Sequence, residues 1–96
     1  MKKFIVIVEG RKVIVDKKMC GFYTTRFVEA NGEAEAISDA FDLIRKEIDS
    51  KPDIMNDRFG YPEMSLYEIN EVEDFGDNDP PGGGFTYHPY EEGEGN

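Results

Sequence analysis

Residues 21–50 read GFYTTRFVEA and then NGEAEAISDAFDLIRKEIDS, an unbroken passage from a strand pattern into a helix pattern that decides the fold. Phe22, Tyr23, Thr24, Thr25, Phe27 and Val28 are β-branched or aromatic, the residue types that fit a pleated surface. Apolar residues fall on both sides of this strand, Tyr23 and Phe27 on one and Phe22 and Val28 on the other, so alternation does not say which face meets the helix. Arg26 shares its side with Phe22, Thr24 and Val28, which reads as a half-wet surface. In the helix, Asn31 is the expected N-cap. Glu33 and Glu35 in the first turn, with Arg45 and Lys46 near the end, match the macrodipole. Ile37, Ala40, Phe41, Ile44 and Ile48 recur at the spacing of one apolar stripe. Burying the four large members is worth on the order of 6 to 12 kcal/mol gross, at roughly 1.5 to 3 each, so the stripe must lie on the sheet.

Working outward, Phe4–Val8 is a continuous β-branched and aromatic run suited to a central strand buried on both faces, with Gly10 as its break. Val13, Ile14 and Val15 fit either a short hairpin strand or a stiff loop packed on the sheet, and Lys17 and Lys18 mark an exposed turn. The segment from Ser50 to Pro62 reads as a structured excursion. Ser65–Phe75 carries both a capping-box pattern at Ser65 and Glu68 and a strand pattern that needs a bulge between Ile69 and Val72; the strand is favoured. DNDPPGGG at 77–84 is a turn or linker, and Phe85–His88 is an edge strand stopped by Pro89.

These readings make residues 1–90 one α+β domain of two layers. An antiparallel sheet of three to five strands carries the 33–49 helix across one face. Residues 91–96 form an acidic, disordered tail. The second face of the sheet calls for a cover: the 50–64 excursion, the C-terminal segment or a second copy in a homodimer.

Charge is unevenly distributed over the 96 residues. Residues 1–48 hold nine Lys/Arg and eight Asp/Glu, whereas residues 49–96 hold two and thirteen, which yields the net −10. Such a potential argues against non-specific nucleic-acid binding and anionic membranes, and leaves two readings: a solvated surface that keeps the protein soluble, or attraction to a basic protein partner. Cys20 is the lone cysteine, so neither a disulfide framework nor a cysteine zinc site can be built. The FIVIV run ends at Glu9, short of a signal-peptide core, and a cytoplasmic location is expected with no membrane association.

No catalytic, cofactor-binding or metal-ligating set is assigned. Asp74-Phe75-Gly76 matches a kinase metal motif in spelling alone, and Asp74, Asp77 and Asp79 lack the closing Glu of a calcium loop. Candidate interaction residues are Arg26 and Thr24 on the regular strand, with Tyr87 and the single histidine, His88, near the end. A guanidinium held between aromatics can grip a carboxylate or phosphate as a fork; the competing role is an internal ion pair.

GFYTTRFVEA, an early VEG and the closing PPGGGFTYHP resemble a group of small uncharacterised bacterial proteins with a GxGFTFYP-like motif and no assigned activity. The strand-strand-helix order also resembles, in topology, HicB-type antitoxins. The functional expectation is a non-enzymatic acidic interaction or regulatory module. The alternatives are a nucleic-acid-mimicking inhibitor or immunity-like protein, and a small-ligand-binding domain or enzyme using Arg26, His88 and nearby tyrosines.

Overall fold

A computed structural model describes residues 1–15, 18–50 and 62–89. Its elements are β1 (Lys2–Val15), β2 (Lys18–Ala30), α1 (Glu33–Asp49), β3 (Glu63–Val72) and β4 (Thr86–Pro89). The sheet order is β3-β1-β2-β4 with every neighbouring pair antiparallel. The helix lies on one face, giving the two-layer α+β arrangement that the sequence implies. Most of the 50–64 excursion, the Lys17 part of the basic turn and the 91–96 tail lie outside the described residues.

β1 is one of the two inner strands, and it is buried differently on its two faces. Phe4, Val6 and Val8 are fully buried toward the helix, while Ile5 and Ile7 are half-buried on the other side. Gly10 does not end it. The strand continues to Val15, and the irregularity is a register shift against β2 between Gly10 and Val13, where Lys12 takes a positive φ of 65°. Gly10 is small for a packing reason: a Cβ built there would lie 2.0 Å from the Phe22 ring on the paired strand. A strand glycine at a close approach does not require a break.

β3 settles residues 65–72 of the ambiguous 65–75 segment as strand, with the bulge at Tyr67 and not between Ile69 and Val72. Ile7 pairs with Glu68 and Val8 with Leu66, leaving Tyr67 as the extra residue. The bulge lets Met64 and Ile69, on either side of it, both pack on the core. It turns Tyr67 to the opposite face, where its ring meets Tyr23 at 5.0 Å.

The face of β2 that meets the helix is the one carrying Phe22, Thr24, Arg26 and Val28, all buried. It is therefore dry, against the half-wet expectation, because Arg26 finds its counter-charge on the helix and not in solvent. The helix spans Glu33–Asp49 as expected, but its buried line is Ala36, Ala40, Ile44 and Ile48. Ile37 and Phe41 sit at its margins, half-buried. Two alanines at the centre let the helix approach a sheet face already filled by Phe4 and Phe22. The N-cap is Gly32 in extended backbone with no side-chain cap, and the Asn31 backbone N–H instead donates to Glu35 Oε2 at 3.4 Å.

From Val72 at one edge the chain crosses to β4 at the other. On the way Phe75 packs on Phe27, ring centroids 5.6 Å apart, and the Phe27 N–H donates to the Pro81 carbonyl at 3.0 Å. The second sheet face is thus partly roofed by Phe75 at one end and by the Tyr67 and His88 rings over Tyr23 at the other.

Candidate functional site

The four candidate residues separate onto the two faces of the sheet. Register pairs Phe22 with Tyr87 and Gly21 with His88, so Tyr87 lies on the helix side with Thr24 and Arg26, and His88 on the other. Among the described residues the two side chains lie on opposite faces of the sheet and line no common groove.

Arg26 is the centre of a buried polar network. Its side chain is 1% exposed. One terminal nitrogen donates to Thr24 Oγ1 and to the Thr25 carbonyl at 2.8 Å, and the other donates to Glu47 Oε1 of α1 at 2.8 Å. The Phe85 ring lies 5.8 Å from the guanidinium carbon. Desolvation pulls the guanidinium below its ordinary pKa and the Glu47 carboxylate pushes it back. The guanidinium fork is therefore occupied within the chain.

Thr24 and Glu47 extend the network to the glycine-rich loop. Thr24 Oγ1 donates to the Gly84 carbonyl at 2.7 Å, and the Gly84 N–H donates to the Glu47 carboxylate at 3.0 and 3.2 Å. Both backbone groups of one residue are thus held by β2 and α1, which fixes the approach of the chain into β4. Gly84 adopts a φ of +81°, a region that costs a side-chain-bearing residue roughly 1–2 kcal/mol. Gly84→Ala is accordingly expected to lower stability by about that amount and to raise hydrogen exchange at β4 amides. Gly83→Ala is expected to cost less, since Gly83 is not among the positive-φ glycines and a Cβ there meets only Glu47 Oε1, at 3.3 Å.

Tyr87 completes an aromatic cluster with Phe22 and Phe85, at centroid distances of 6.5 and 6.2 Å. Burial, and then the Glu47 and Cys20 charges, push its phenol above the usual pKa. His88 tilts onto Tyr23 at 5.1 Å, and its Nε2 is buried with no hydrogen-bond partner among the described residues. It sits where a Gly21 Cβ would be, 2.8 Å from Nε2, so Gly21 is the seat for the imidazole. These contacts dock β4.

The feature that reading residues one at a time misses is an edge. β3 borders β1 on one side and no other described strand, and it carries Glu63, Glu68 and Glu71, with Glu73 and Asp74 immediately after. Lys12 pairs with Glu63 at 2.9 Å and Lys2 reaches Glu71 at 3.9 Å. Among the described residues Glu68 accepts from Asn70 and Asp74 from the Gly76 N–H, and neither meets a cation. Leu66 and Tyr67, 40% and 57% exposed, stand between these acids. The sequence signal for this edge is the absence of any Lys or Arg from residue 59 onward, against ten Asp and Glu in the same span.

An open groove lies between α1 and β2, lined by Phe27, Val28, Leu43, Asp39, Asp42 and Lys46 among others, and none of the four candidate residues borders it. Among the described residues no three His, Cys, Asp or Glu side chains converge to hold a metal ion, and no helix is long and apolar enough to cross a membrane. No family model, no curated protein and no solved structure matches this chain.

Proposed function

We propose that this protein is a non-enzymatic interaction module that engages a basic protein partner through the acidic side of its sheet, made of β3 and the crossover that follows it. One observation carries the reading: residues 62–89 build β3, the crossover and β4 with seven Asp/Glu and no Lys/Arg. In the first half of the chain, by contrast, acid and base nearly balance. Among the described residues, Glu68, Glu73, Asp74, Asp77 and Asp79 have no ion-pair partner, so their field is available to an incoming cation. Chemistry built on Arg26 finds less support, since its guanidinium is spent on Thr24, Thr25 and Glu47, and His88 faces the other way.

Attraction between exposed charges is screened over about 8–10 Å at physiological ionic strength, so binding is expected to be strongly salt-dependent. Capture from host lysate at about 50 mM and 500 mM salt, followed by mass spectrometry, tests this. The expected result is a basic protein recovered at low salt and lost at high salt. A partner held equally at both would overturn the charge-based reading. Recovery of a nucleic-acid-binding protein that duplex DNA displaces would point instead to nucleic-acid mimicry.

A further inference from the structure

We infer that β3 is a docking edge for an extended cationic segment, which adds to the sheet as a fifth strand. The inference rests on the proposed acidic interaction role and specifies how that role is carried out. A sheet edge offers a row of backbone N–H and C=O groups to any chain that can lie beside it. At the opposite edge, β4 spans only Thr86–Pro89 and includes a proline, which has no N–H to give. β3 is ten residues long and contains no proline or glycine.

The side chains along β3 say which segment fits. Pairing with β1 places Met64, Leu66, Ile69 and Glu71 on the helix side, and Glu63, Ser65, Glu68, Asn70 and Val72 on the other, with Tyr67 turned to that second side at the bulge. An added strand would set alternate residues beside Leu66 and Ile69, and the intervening ones beside Glu63 and Glu68. A segment alternating apolar and basic residues satisfies both rows. A second copy of β3 does not, since the strand has three glutamates and no cation, and self-pairing brings like charges together. The Tyr67 bulge divides the edge into two regular runs, Glu63–Leu66 and Glu68–Val72, each in unbroken register with β1. The same glutamates and bulge that guard the edge against its own kind therefore select a basic occupant.

The test titrates the full-length, isotopically labelled chain with two synthetic decapeptides of equal charge. One alternates Lys and Val; the other has Pro in place of alternate Val residues, so that it keeps the cations and loses backbone donors. Strand addition predicts that the Lys-Val peptide shifts the Glu68–Val72 amides and slows their hydrogen exchange. It also predicts that the Pro-containing peptide binds about tenfold or more weakly. Equal affinity for both peptides with no added protection in β3 would overturn strand addition while leaving the acidic interaction reading standing. Binding of neither peptide at low salt would overturn both. Protection confined to β4 or to the second sheet face would also reject β3 as the docking edge.

Discussion

Glu47→Ala is expected to lower the unfolding free energy by about 3 kcal/mol, the low end of what removing one partner of a buried ion pair costs. The substitution strands the Arg26 guanidinium, whose side chain is 1% exposed, with only Thr24 and a carbonyl as acceptors. It also removes the acceptor for the Gly84 N–H. The low end applies because the Glu47 side chain is 21% exposed, so water entering the vacated space can solvate part of the charge. Arg26→Met should cost less, since the remaining carboxylate keeps Gly84 and reaches solvent. The double replacement Arg26→Met with Glu47→Leu should be more stable than Glu47→Ala alone, because no charge is then left unpaired. Urea denaturation of the four proteins at neutral pH measures the order. A loss under 1 kcal/mol for Glu47→Ala would mean the pair behaves as a surface salt bridge.

Gly10→Ala is expected to be comparably damaging for a different reason. The added methyl would sit 2.0 and 2.1 Å from two carbons of the Phe22 ring. That ring is fully buried, edge-on to Phe85 at 5.0 Å, and has little room to retreat. Overpacking of this kind costs about 1–3 kcal/mol, and the upper end applies because a displaced Phe22 also loosens Phe85 and Tyr87, which seat β4. Shrinking the ring should relieve the clash: Gly10→Ala with Phe22→Leu is expected to lose less than the sum of the two single losses. Additive losses in a double-mutant cycle would show that the two residues do not share the space.

These two positions also mark where the sequence stops being legible. The helix was readable to its ends because its signals are local: acids in the first turn, bases near the last, apolar residues at fixed spacing. Residues 65–75 read as strand because a strand-rich first half needs another partner and no strong helix ending follows; the bulge lies at Tyr67 and not between Ile69 and Val72, which face opposite sides of β3. Gly10 has the sequence signature of a break, whereas its reason is Phe22, a neighbour only across the sheet. The Arg26 face has a half-wet sequence pattern but is dry, because its neutralising partner lies twenty-one residues away on the helix. Asn31 offered the usual N-cap side chain, yet the chain enters the helix through Gly32.

Of the candidate residues, the structure shows Arg26 and Thr24 tying β2 to α1 and the glycine loop, and Tyr87 and His88 seating β4 on opposite faces. Charge was legible as a total and as an imbalance between halves. Its arrangement along one edge was not, because that depends on β3 being the outer strand, which pairing order decides and composition does not.

Whether the acidic side of the sheet is the binding surface is best decided by low-salt capture with two variants that each remove four charges. One carries Glu68→Gln, Glu73→Gln, Asp74→Asn and Asp77→Asn; the other carries Glu33→Gln, Glu35→Gln, Asp39→Asn and Asp42→Asn on the helix. The first should lose the basic partner and the second should keep it. Equal loss from both would mean that net charge alone draws the partner, and retention by both would show that the β3 side does not bind it.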